Sequence, residues 1–479
     1  MILAIDQGTT GTTCLVVDDE LRVRGCGYVE IEQLFPQPGW VEHDPEELWT
    51  SVLAAAEHAL AGAGIAASSL RAIGIANQRE TTLVWERRSG RPVQRAIVWQ
   101  DRRTAERCRE LPAELIRERT GLVPDPYFAA TKLEWLLART DVPVAELAAG
   151  TVDSWLVWKL TGGREHVSDV TNASRTMLLD LDRGAWDDEL LALCGVVRSL
   201  LPRVVGSSEV VGEAELFGAT IPIAGIAGDQ QAALFGQGCF ARGQAKATYG
   251  TGSFVLVNVG DDRAAAPEGV LRTAAAVAPG ARPQFALEGS VLVGGAAVQW
   301  LRDGLGLIAS AAETGALARS VESSGGVVFV PALTGLGSPW WDADARGLIS
   351  GLTRGTTRAH LVRATLEAIA YQVADVLEAL PVSSGGIEVL RADGGATANE
   401  FLMQFQADVL GCPVEVAAEA EATALGAAAL AGLAVGVWPD LEAVGKLVRR
   451  GARYEPGEKP SGRDEWRLAL RRAMLHADS

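Results

Sequence analysis

The sequence predicts an α/β protein built from two similar halves with a ligand-binding cleft between them. Its 479 residues are too many for one ordinary hydrophobic core, which favours two or three domains. An apolar strand, a Gly/Thr-rich turn and a second apolar strand occur over residues 2–17 and again over residues 245–259. Elsewhere, apolar strands alternate with helical segments, as in layered α/β folds. We therefore expect one domain over residues 1–238 and another over residues 239–479.

The first half opens with a predicted hairpin and continues through helix and strand signals. The hairpin consists of apolar residues Ile2–Ile5, a turn at residues 7–12 and apolar residues Cys14–Val17. An Asp-Pro pair at residues 44–45 predicts the capped start of a helix that runs to about Ala61. Further strands are expected at Gly27–Ile31, Leu70–Ala76 and Ile221–Ala227, the last of which stops at Gly228-Asp229 and leads into a helix.

The second half begins with the same hairpin signal. Apolar residues Ala245–Tyr249 and Phe254–Val259 flank a Gly-Thr-Gly-Ser turn at residues 250–253. Residues 422–439 carry no charge and approach the length of a membrane span, but they are rich in Ala and Gly and end at a proline. Small residues let a helix lie close to a sheet, so this segment predicts a buried helix. A strand at Val327–Pro331, a long helix at Thr357–Leu380 and a strand at Ile387–Ala392 complete the pattern.

Charge and cysteine usage exclude several classes of protein. With 43 Lys and Arg against 60 Asp and Glu, the net charge of −17 repels nucleic acid and anionic membranes, so neither is an expected partner. This background suits a neutral substrate better than an anionic one. The 6 cysteines show no CxxC spacing, and Met1–Asp6 lacks a basic segment and a cleavage site. These features favour a cytoplasmic protein without a disulfide framework, zinc site or secretory signal.

Three glycine-rich turns, each after an apolar strand, suggest phosphate binding. They are Asp6-Gln7-Gly8-Thr9-Thr10-Gly11, Tyr249-Gly250-Thr251-Gly252-Ser253 and Asp393-Gly394-Gly395-Ala396-Thr397. Glycine lets the backbone approach a ligand closely, and successive N–H groups with Thr hydroxyls can hold phosphate oxygens. One such turn alone is usually a plain tight turn, but two at matching places of a repeat favour a nucleotide site. The site is not of the Walker type, because the sequence has no GxxxxGK(S/T) loop.

Two aspartates stand at strand ends near these turns. Asp6 follows Ile2–Ile5, and Asp229 follows the strand that ends at Gly228. A carboxylate at such a position can hold Mg²⁺ through water or accept a proton from an attacking hydroxyl. The alternative is structural, because Asp229 opens a helix and Asp is a common helix cap. Composition and spacing thus indicate a two-lobed nucleotide-binding protein, but they do not identify its substrate.

Eight sequence strings resemble the FGGY carbohydrate kinases, and the likeness covers almost the whole chain. The strings are Asp6-Gln7-Gly8-Thr9-Thr10, Asn77-Gln78-Arg79-Glu80-Thr81-Thr82, Val98-Trp99-Gln100-Asp101-Arg102-Arg103, Asp125-Pro126-Tyr127-Phe128, Gly228-Asp229-Gln230-Gln231-Ala232-Ala233-Leu234-Phe235-Gly236-Gln237, Tyr249-Gly250-Thr251-Gly252, Pro331-Ala332-Leu333-Thr334-Gly335-Leu336-Gly337 and Asp393-Gly394-Gly395-Ala396. The resemblance implies two actin-like (RNase H-like) ATPase domains with the active site in the cleft between them. It also implies a kinase that uses ATP and Mg²⁺, and within the family the likeness is to members that phosphorylate glycerol to sn-glycerol 3-phosphate.

The resemblance also implies a glycerol site. The residues that match the family's glycerol-contacting positions are Arg79, Glu80, Tyr127, Asp229 and Gln230, with Trp99 and Phe254 as apolar walls. Arginine and glutamate offer donors and an acceptor for adjacent hydroxyls, and aromatic rings cover the carbon chain. Asp229 is implied to be the general base that takes the proton from the attacking terminal hydroxyl. Without the resemblance, an Arg-Glu pair would be interpreted as a solvated surface pair.

Nucleotide, metal and assembly roles follow from the same resemblance. The nucleotide-contacting positions match Thr9, Thr10, Gly11, Thr251, Gly295, Gln299, Gly395 and Asn399. Asp6 and Asp229 are implied to lie near Mg²⁺, with water between. In the loose transition state of phosphoryl transfer, most of the acceleration comes from alignment and charge neutralisation, and closure of the lobes would exclude water. A homodimer or homotetramer is expected by analogy.

The sequence departs from the family pattern at two places. Thr13 stands where familiar members carry an arginine in the first phosphate loop, so one cationic contact to the nucleotide is missing. The segment Gly212–Thr220 is short and has no Lys, Arg or His. In bacterial relatives this region is basic and binds fructose 1,6-bisphosphate. We therefore expect inhibition by that bisphosphate to be weak or absent, and we do not expect regulation by histidine phosphorylation there.

Two other functions are compatible with parts of the pattern. A kinase of the same family that acts on a pentulose or hexulose would share the base and the nucleotide loops and would differ in the substrate pocket. Arg79-Glu80 with Tyr127 and Phe254 favours glycerol over these sugars. A chaperone-like actin-fold ATPase would explain the phosphate loops but not a polyol site beside Asp229, and it would release no phosphorylated product.

Overall fold

The computed structural model describes residues 1–380 and 387–475 and shows two lobes, each built on one large mixed sheet. The first lobe contains strands β1 Ile2–Gln7, β2 Gly11–Val17, β3 Val23–Glu30, β4 Glu42–His43, β5 Ala72–Asn77, β6 Thr82–Glu86, β7 Ala96–Ile97, β8 Leu147–Thr151, β9 Val167–Asp169, β10 Leu179–Asp180, β11 Ala185–Trp186, β12 Arg203–Val205, β13 Ser208–Leu216 and β14 Ala219–Gly228. Its helices are α1 Pro45–Ala63, α2 Ala105–Arg109, α3 Ala113–Thr120, α4 Ala129–Leu137, α5 Val152–Leu160, α6 Val170–Ala173, α7 Asp188–Leu193 and α8 Asp229–Gly236.

The second lobe follows the same alternation of strands and helices. Its strands are β15 Ala245–Tyr249, β16 Ser253–Gly260, β17 Leu271–Ala274, β18 Phe285–Val291, β19 Val328–Val330, β20 Leu348–Ser350, β21 Leu390–Asp393, β22 Val414–Ala417 and β23 Arg450–Tyr454. Its helices are α9 Gly295–Asp303, α10 Thr314–Arg319, α11 Arg358–Ala379, α12 Glu400–Leu410, α13 Ala422–Ala434, α14 Leu441–Leu447 and α15 Arg463–Ala473. The core of this lobe lies between the sheet and α11 with α12.

The two large sheets share one strand arrangement. The first has the order β13-β14-β5-β1-β2-β3, and the second has the order β17-β18-β16-β15-β21-β22-β23. In each, an antiparallel set of three (β3-β2-β1 and β18-β16-β15) continues into two strands that run parallel to the last of the three (β5-β14 and β21-β22). This match confirms the predicted α/β fold class with two actin-like lobes.

Most elements predicted from the sequence are present, with shifts at their ends. The two hairpins pair as expected, with Ile2 opposite Val17 and Ala245 opposite Val257. The Asp44 carboxylate caps α1 by accepting from the Glu46 N–H. The strand predicted over residues 387–392 begins only at Leu390, because its partner β15 begins opposite that residue.

The uncharged segment after residue 421 forms a buried helix, as predicted. This helix, α13, packs against α8 and against β1, β5 and β14 of the first-lobe sheet. The close approach needs a residue without a side chain, since a Cβ on Gly74 of β5 would lie 2.1 Å from the Ala427 carbonyl oxygen. A helix from the second half of the chain thus closes the core of the first lobe. Within residues 1–380 and 387–475, no helix is long and apolar enough to cross a membrane.

Candidate active site

Three parallel strands of the first sheet end side by side at one edge of the sheet. The last residues of β1 and β14, Gln7 and Gly228, both pair with Asn77 at the end of β5. In open α/β sheets, ligands bind beyond the carboxyl ends of such strands. The residues that lie within three positions of these ends include Asp6, Arg79, Glu80 and Asp229, so the predicted acidic and basic residues come together here.

Arg79 is the centre of a buried ion cluster at this edge. Its guanidinium donates to both carboxylate oxygens of Glu288 from β18, at 2.6 and 2.9 Å. Its Nε lies 3.2 Å from Oδ1 of Asp229, and its Nη2 donates to the Tyr127 hydroxyl at 3.3 Å. The side chains of Arg79 and Glu288 are 2% and 0% exposed. Residues of both lobes therefore hold this guanidinium in one orientation.

Arg175 completes the cluster from the segment that follows α6. Its Nε donates to Oε1 of Glu80 at 2.7 Å, and its Nη2 donates to Oε1 of Glu288 at 3.1 Å. The guanidinium also lies over the rings of Tyr127 and Phe128, 5.4 and 5.1 Å from their centroids. Glu80 reaches it from a backbone with a φ of 60°, a left-handed conformation that costs energy outside glycine. Two buried cations thus alternate with two buried anions, and each charge has a partner.

Arg175 and Glu288 are functional residues that the sequence motifs do not include, and of the two only Glu288 carries a clear local signal. Glu288 is the one charged residue in the mostly apolar strand Phe285–Val291. Arg175 is the one charged residue between Val170 and Leu179. A lone charge in an apolar segment marks a buried charge that needs a partner. This signal applies to Glu288, whereas the residues around Arg175 are mostly polar. The partner itself cannot be identified without the fold, because Arg79 and Glu288 are more than 200 residues apart (separation 209).

The pKa values of the two carboxyl groups in the ion cluster are shifted in opposite directions. Burial alone would raise the pKa of Glu288, but Arg175 and Arg79 outweigh it and lower the pKa to about 2. Burial raises the pKa of Glu80 above its ordinary value in spite of the same two guanidiniums. Of the two carboxylates, Glu288 is therefore the one whose charged form the guanidiniums stabilise more strongly.

An aromatic wall stands beside the cluster. The ring centroids of Trp99 lie 5.7 Å from those of Tyr127 and 6.2 Å from those of Phe254, with edge-to-face geometry in both pairs. The Trp99 Nε1 donates to Oγ1 of Thr9 at 2.9 Å, which joins the wall to the first glycine-rich turn. Apolar rings on one side and charged groups on the other suit a small molecule with a carbon backbone and several hydroxyls.

Asp229 begins α8 and is more open than the rest of the cluster, with 30% of its side chain exposed. Its Oδ1 accepts from the Gln230 backbone N–H at 2.7 Å, and its Oδ2 accepts from the Gln230 side-chain amide at 3.0 Å. The carboxylate is thus anchored while part of it remains accessible from the cleft. The predicted polyol residues form one connected group: Arg79, Glu80, Trp99, Tyr127, Asp229, Gln230 and Phe254.

The acidic residues fit a Mg²⁺ ion held mainly by phosphate oxygens. In the part of the chain that the structure describes, no group of three or more His, Cys, Asp or Glu side chains is placed to hold a metal. Mg²⁺ is commonly bound by one or two carboxylates together with water and substrate phosphates. Asp6 and Asp229 suit that role. Burial and then the negative charge of Asp229 raise the pKa of Asp6, so the two carboxylates repel each other and a cation between them would be stabilised.

A cavity of about 670 Å³ lies in the second lobe beside the second glycine-rich turn. Its lining includes five of the residues predicted to contact a nucleotide, namely Thr251, Gly295, Gln299, Gly395 and Asn399. The carbonyl oxygens of Gly250 and Thr251 accept from the first backbone N–H groups of α9, and the Asn399 amide donates to Oγ1 of Thr314 at 2.9 Å. The turn and the helices around the cavity therefore hold one another in place.

The first glycine-rich turn lies outside this cavity, between β1 and β2. The lining of the cavity does not include Thr9, Thr10 or Gly11. The Thr10 carbonyl accepts from the backbone N–H of Ile31. A Cβ on Gly11 would lie 2.4 Å from the Tyr28 hydroxyl oxygen, so a larger residue there would have to displace this exposed side chain. A phosphate-binding role for this turn stays a prediction.

The two departures from the family pattern lie on different sides of the central strand β1 in the first-lobe sheet. Thr13 of β2 sits opposite Asp6 of β1, so a longer cationic side chain there would be near the first phosphate turn. The segment Gly212–Thr220 forms the tip of the β13–β14 hairpin. The neighbouring Arg164 already pairs with this acidic tip, since its Nη2 lies 3.7 Å from Oε1 of Glu215 and donates to the backbone carbonyl of Glu213 at 3.0 Å.

The fold and the site together define the class of the protein as a two-lobed kinase of the actin-like type. The chain belongs to the FGGY family of carbohydrate kinases. Residues 1–236 match the N-terminal domain of that family, and residues 245–435 match its C-terminal domain.

Individual relatives are similar along nearly their whole length. A glycerol kinase from Deinococcus radiodurans is 53% identical, and the match covers 98% of this chain and 97% of that protein. Glycerol kinase 2 from Thermotoga maritima is 52% identical, and the match covers 99% of this chain and 98% of that protein. The crystal structure of Plasmodium falciparum glycerol kinase with ADP superposes with a TM-score of 0.91 at 35% identity, covering 99% of this chain and 98% of that one. The crystal structure of a xylulose kinase from Brucella ovis superposes with a TM-score of 0.84 at 27% identity. The match covers 98% of this chain and 96% of that one.

Proposed function

We propose that this protein is an ATP-dependent glycerol kinase that forms sn-glycerol 3-phosphate, with Asp229 as general base. The observation that carries the proposal is the position of Asp229, 3.2 Å from the Nε of Arg79 at the opening of a charged and aromatic-walled site. Relatives that are 52% and 53% identical over nearly their whole length carry the name glycerol kinase. Arg79, Glu80, Tyr127 and Gln230 would bind the hydroxyls, and Trp99 and Phe254 would cover the carbons.

The proposed reaction is a direct phosphoryl transfer. The terminal hydroxyl oxygen of glycerol bonds to the γ-phosphorus of ATP as the bond from that phosphorus to the β,γ-bridging oxygen breaks and ADP leaves. The hydroxyl proton goes to the Asp229 carboxylate. Because the transition state is loose, the proton leaves late and an ordinary carboxylate is basic enough, so alignment supplies most of the acceleration. Mg²⁺ held near Asp6 and Asp229 would neutralise phosphate charge when bound.

The nucleotide is proposed to contact all three glycine-rich turns, on both sides of the cleft. Thr251, Gly295, Gln299, Gly395 and Asn399 would contact it from the cavity in the second lobe. The second set of contacts would come from Thr9, Thr10 and Gly11 in the first turn. The division of the chain into domains at residues 238 and 239 belongs to the same proposal, and this boundary follows α8 and precedes β15.

The test is a coupled ADP-release assay with Mg-ATP across glycerol, dihydroxyacetone, erythritol, xylitol, xylulose, ribulose and gluconate. We expect kcat/KM for glycerol to exceed that for each other compound by at least about 100-fold, since a buried polar site rejects substrates that leave its groups unpaired. Preference for a pentulose would contradict the assignment of Arg79, Glu80 and Phe254. Binding of ATP with no phosphorylated product would favour a nucleotide-switched ATPase instead.

Cellular context and regulation complete the proposal. All six cysteines are free thiols, as expected for a protein that acts in the cytoplasm. We expect a homodimer or homotetramer, which light scattering on the purified protein measures directly. Inhibition by fructose 1,6-bisphosphate should be weak or absent, because the tip of the β13–β14 hairpin has Glu213 and Glu215 where a bisphosphate would need cations.

A further inference from the structure

Lys246 of β15 lies in the second-lobe sheet and contacts Gln230, the residue that donates to Asp229. Its side chain is 0% exposed. Its Nζ donates to the side-chain oxygen of Gln230 and to Oγ1 of Thr248 at 2.7 Å. A buried ammonium is costly even when hydrogen-bonded, so the position calls for a reason. We propose that Lys246 is a positioning residue that orients Asp229 through the Gln230 amide, an inference that rests on the proposed function.

Lys246 decides which way the amide of Gln230 points. An ammonium can only donate hydrogen bonds, so Oε1 of Gln230 must face Lys246. The Nε2 of the same amide then faces Asp229 and donates to its Oδ2 at 3.0 Å. If the amide were turned over, its oxygen would face a carboxylate and its NH₂ group would face an ammonium. Both contacts would be repulsive, so the lysine excludes that orientation.

The Gln230 amide completes the set of donors around Asp229. The backbone N–H of Gln230 and the Nε of Arg79 both approach Oδ1, at 2.7 and 3.2 Å. The Gln230 side-chain amide donates to the other carboxylate oxygen, Oδ2. A general base must stay within hydrogen-bond reach of the proton that it takes, and a displacement of about 1 Å can cost about 100-fold in rate. Loss of the donor to Oδ2 would free the carboxylate to rotate.

The strand that carries Lys246 also leads into the second glycine-rich turn. β15 ends at Tyr249, and the turn begins at Gly250 beside the nucleotide cavity. A rigid contact from β15 to α8 therefore links the place of the phosphoryl donor to the place of the base. Direct contact of Lys246 with a phosphate is the competing explanation. The buried side chain and its two protein acceptors, Gln230 and Thr248, favour positioning.

A double-mutant cycle on the full-length chain tests the inference by steady-state kinetics with glycerol and Mg-ATP. Lys246→Met removes the ammonium at similar length, and Gln230→Met removes the amide. We expect Lys246→Met to lower kcat by about 10- to 100-fold, with KM for ATP within about threefold of wild type. In the Gln230→Met background the same change should alter kcat by less than about twofold, because the lysine acts through the amide.

A second variant keeps the test decisive if Lys246→Met does not fold. Gln230→Glu retains an acceptor for the buried ammonium but offers no side-chain donor to Asp229, so kcat should again fall by at least about tenfold. Lys446→Met is the matched control, since it makes the same change at an exposed lysine that pairs with Glu442. It should leave kcat and both KM values unchanged.

Three results would overturn the inference. One is a higher KM for ATP at unchanged kcat in Lys246→Met, which would mean a direct phosphate contact. Another is a pair of independent losses that multiply in the double variant. The third is wild-type kcat in Gln230→Glu. A wild-type protein that does not phosphorylate glycerol would instead overturn the proposed function, and this inference with it.

Discussion

The polyol site and the nucleotide cavity are built in opposite ways. The polyol site consists of charged and aromatic side chains that hold one another, and Arg79, Glu80, Arg175 and Glu288 are all buried. The lining of the nucleotide cavity combines glycines and other small residues with apolar side chains and only a few charged ones. Buried charges discriminate between hydroxyl patterns, because a wrong substrate leaves them unpaired. Backbone amides bind phosphate without such discrimination. Substrate choice should therefore depend on the ion cluster, and nucleotide affinity on space and charge.

Removing the negative charge of Glu288 should have the largest effect, because it should impair the polyol site far more than the nucleotide cavity. Glu288→Gln leaves Arg79 and Arg175 without the carboxylate between them, and Arg79 would then pair more closely with Asp229. We expect the free energy of unfolding to fall by about 3–5 kcal/mol and kcat/KM for glycerol to fall at least about 100-fold. KM for ATP should change far less. Chemical unfolding and the ADP-release assay measure these quantities.

The matched control for that variant is Glu442→Gln, which makes the same change in an exposed pair with Lys446. An exposed pair contributes about 0–1 kcal/mol, so stability and kinetics should stay near wild type. If Glu288→Gln raised both KM values equally, the ion cluster would not be specific to the polyol side.

The stability of the first lobe, which carries most of the polyol site, should also depend on pH through Asp153 of α5. Its carboxylate accepts from Oγ of Ser168 at 2.6 Å, and burial, with the charge of nearby Asp169, raises its pKa from 3.8 to about 7. Because the folded state binds this proton more tightly, stability falls as pH rises from about 4 to 7. Asp153→Asn removes that loss, so its stability relative to wild type should improve by roughly 2–4 kcal/mol between pH 4.5 and 8.5.

Urea unfolding of both proteins at the two pH values measures this difference. Asp188→Asn, at an exposed aspartate of α7 that pairs with Arg198, is the control and should show no such trend. A stability difference for Asp153→Asn that stays constant with pH would mean that Asp153 is ionised in the folded protein throughout the range.

On the nucleotide side, added bulk should act without a cost in stability. Gly395 lines the cavity, and a Cβ there would have no heavy atom within 4 Å. Gly395→Val should therefore fold normally and occupy nucleotide space, raising KM for ATP by about tenfold, or about 1.4 kcal/mol. KM for glycerol should remain within about twofold. Gly395→Ala, with one methyl group, is the graded control, and an equal effect of both variants would contradict a simple steric cause.

The smallest expected effect is a gain of charge at the first turn. Thr13→Arg would place a cation opposite Asp6, near the phosphates in the proposed complex. A half-exposed contact of this kind contributes about 1 kcal/mol, so KM for ATP should fall by about fivefold with kcat little changed. Thr13→Gln, which has similar reach without charge, should behave like wild type. A higher KM for ATP in Thr13→Arg would mean that the arginine instead pairs with Asp6.

Local sequence was sufficient for the repeated hairpins, because strand alternation and the Gly/Thr turns between them are written within about 20 residues. It was also sufficient for α13 as a buried helix. Which sheet α13 covers was not predictable from the segment itself. Gly74 and Ala427, whose close approach makes that packing possible, are more than 350 residues apart in the chain.

The site shows the same limit. Arg79, Glu80 and Asp229 stand in strings that resemble the family, so the predicted polyol residues could be named and the structure brings them together. Glu288 and Lys246 lie in strands that look like ordinary apolar segments with one charge. Their roles depend on partners in the other lobe, and spacing in sequence contains no information about such pairs. The residue types in the motifs predicted the chemistry of the site. The residues that hold those side chains in place could be identified only from the fold.

The most direct test of the account compares wild type with Asp229→Asn in one experiment that records ADP release and sn-glycerol 3-phosphate formation, alongside calorimetric binding of glycerol and ATP. We predict that the variant loses at least about 100-fold in kcat, the usual contribution of a general base. Both ligands should still bind within about tenfold of their wild-type affinity. Near-wild-type turnover by Asp229→Asn would contradict the assignment of Asp229 as the base of the polyol site.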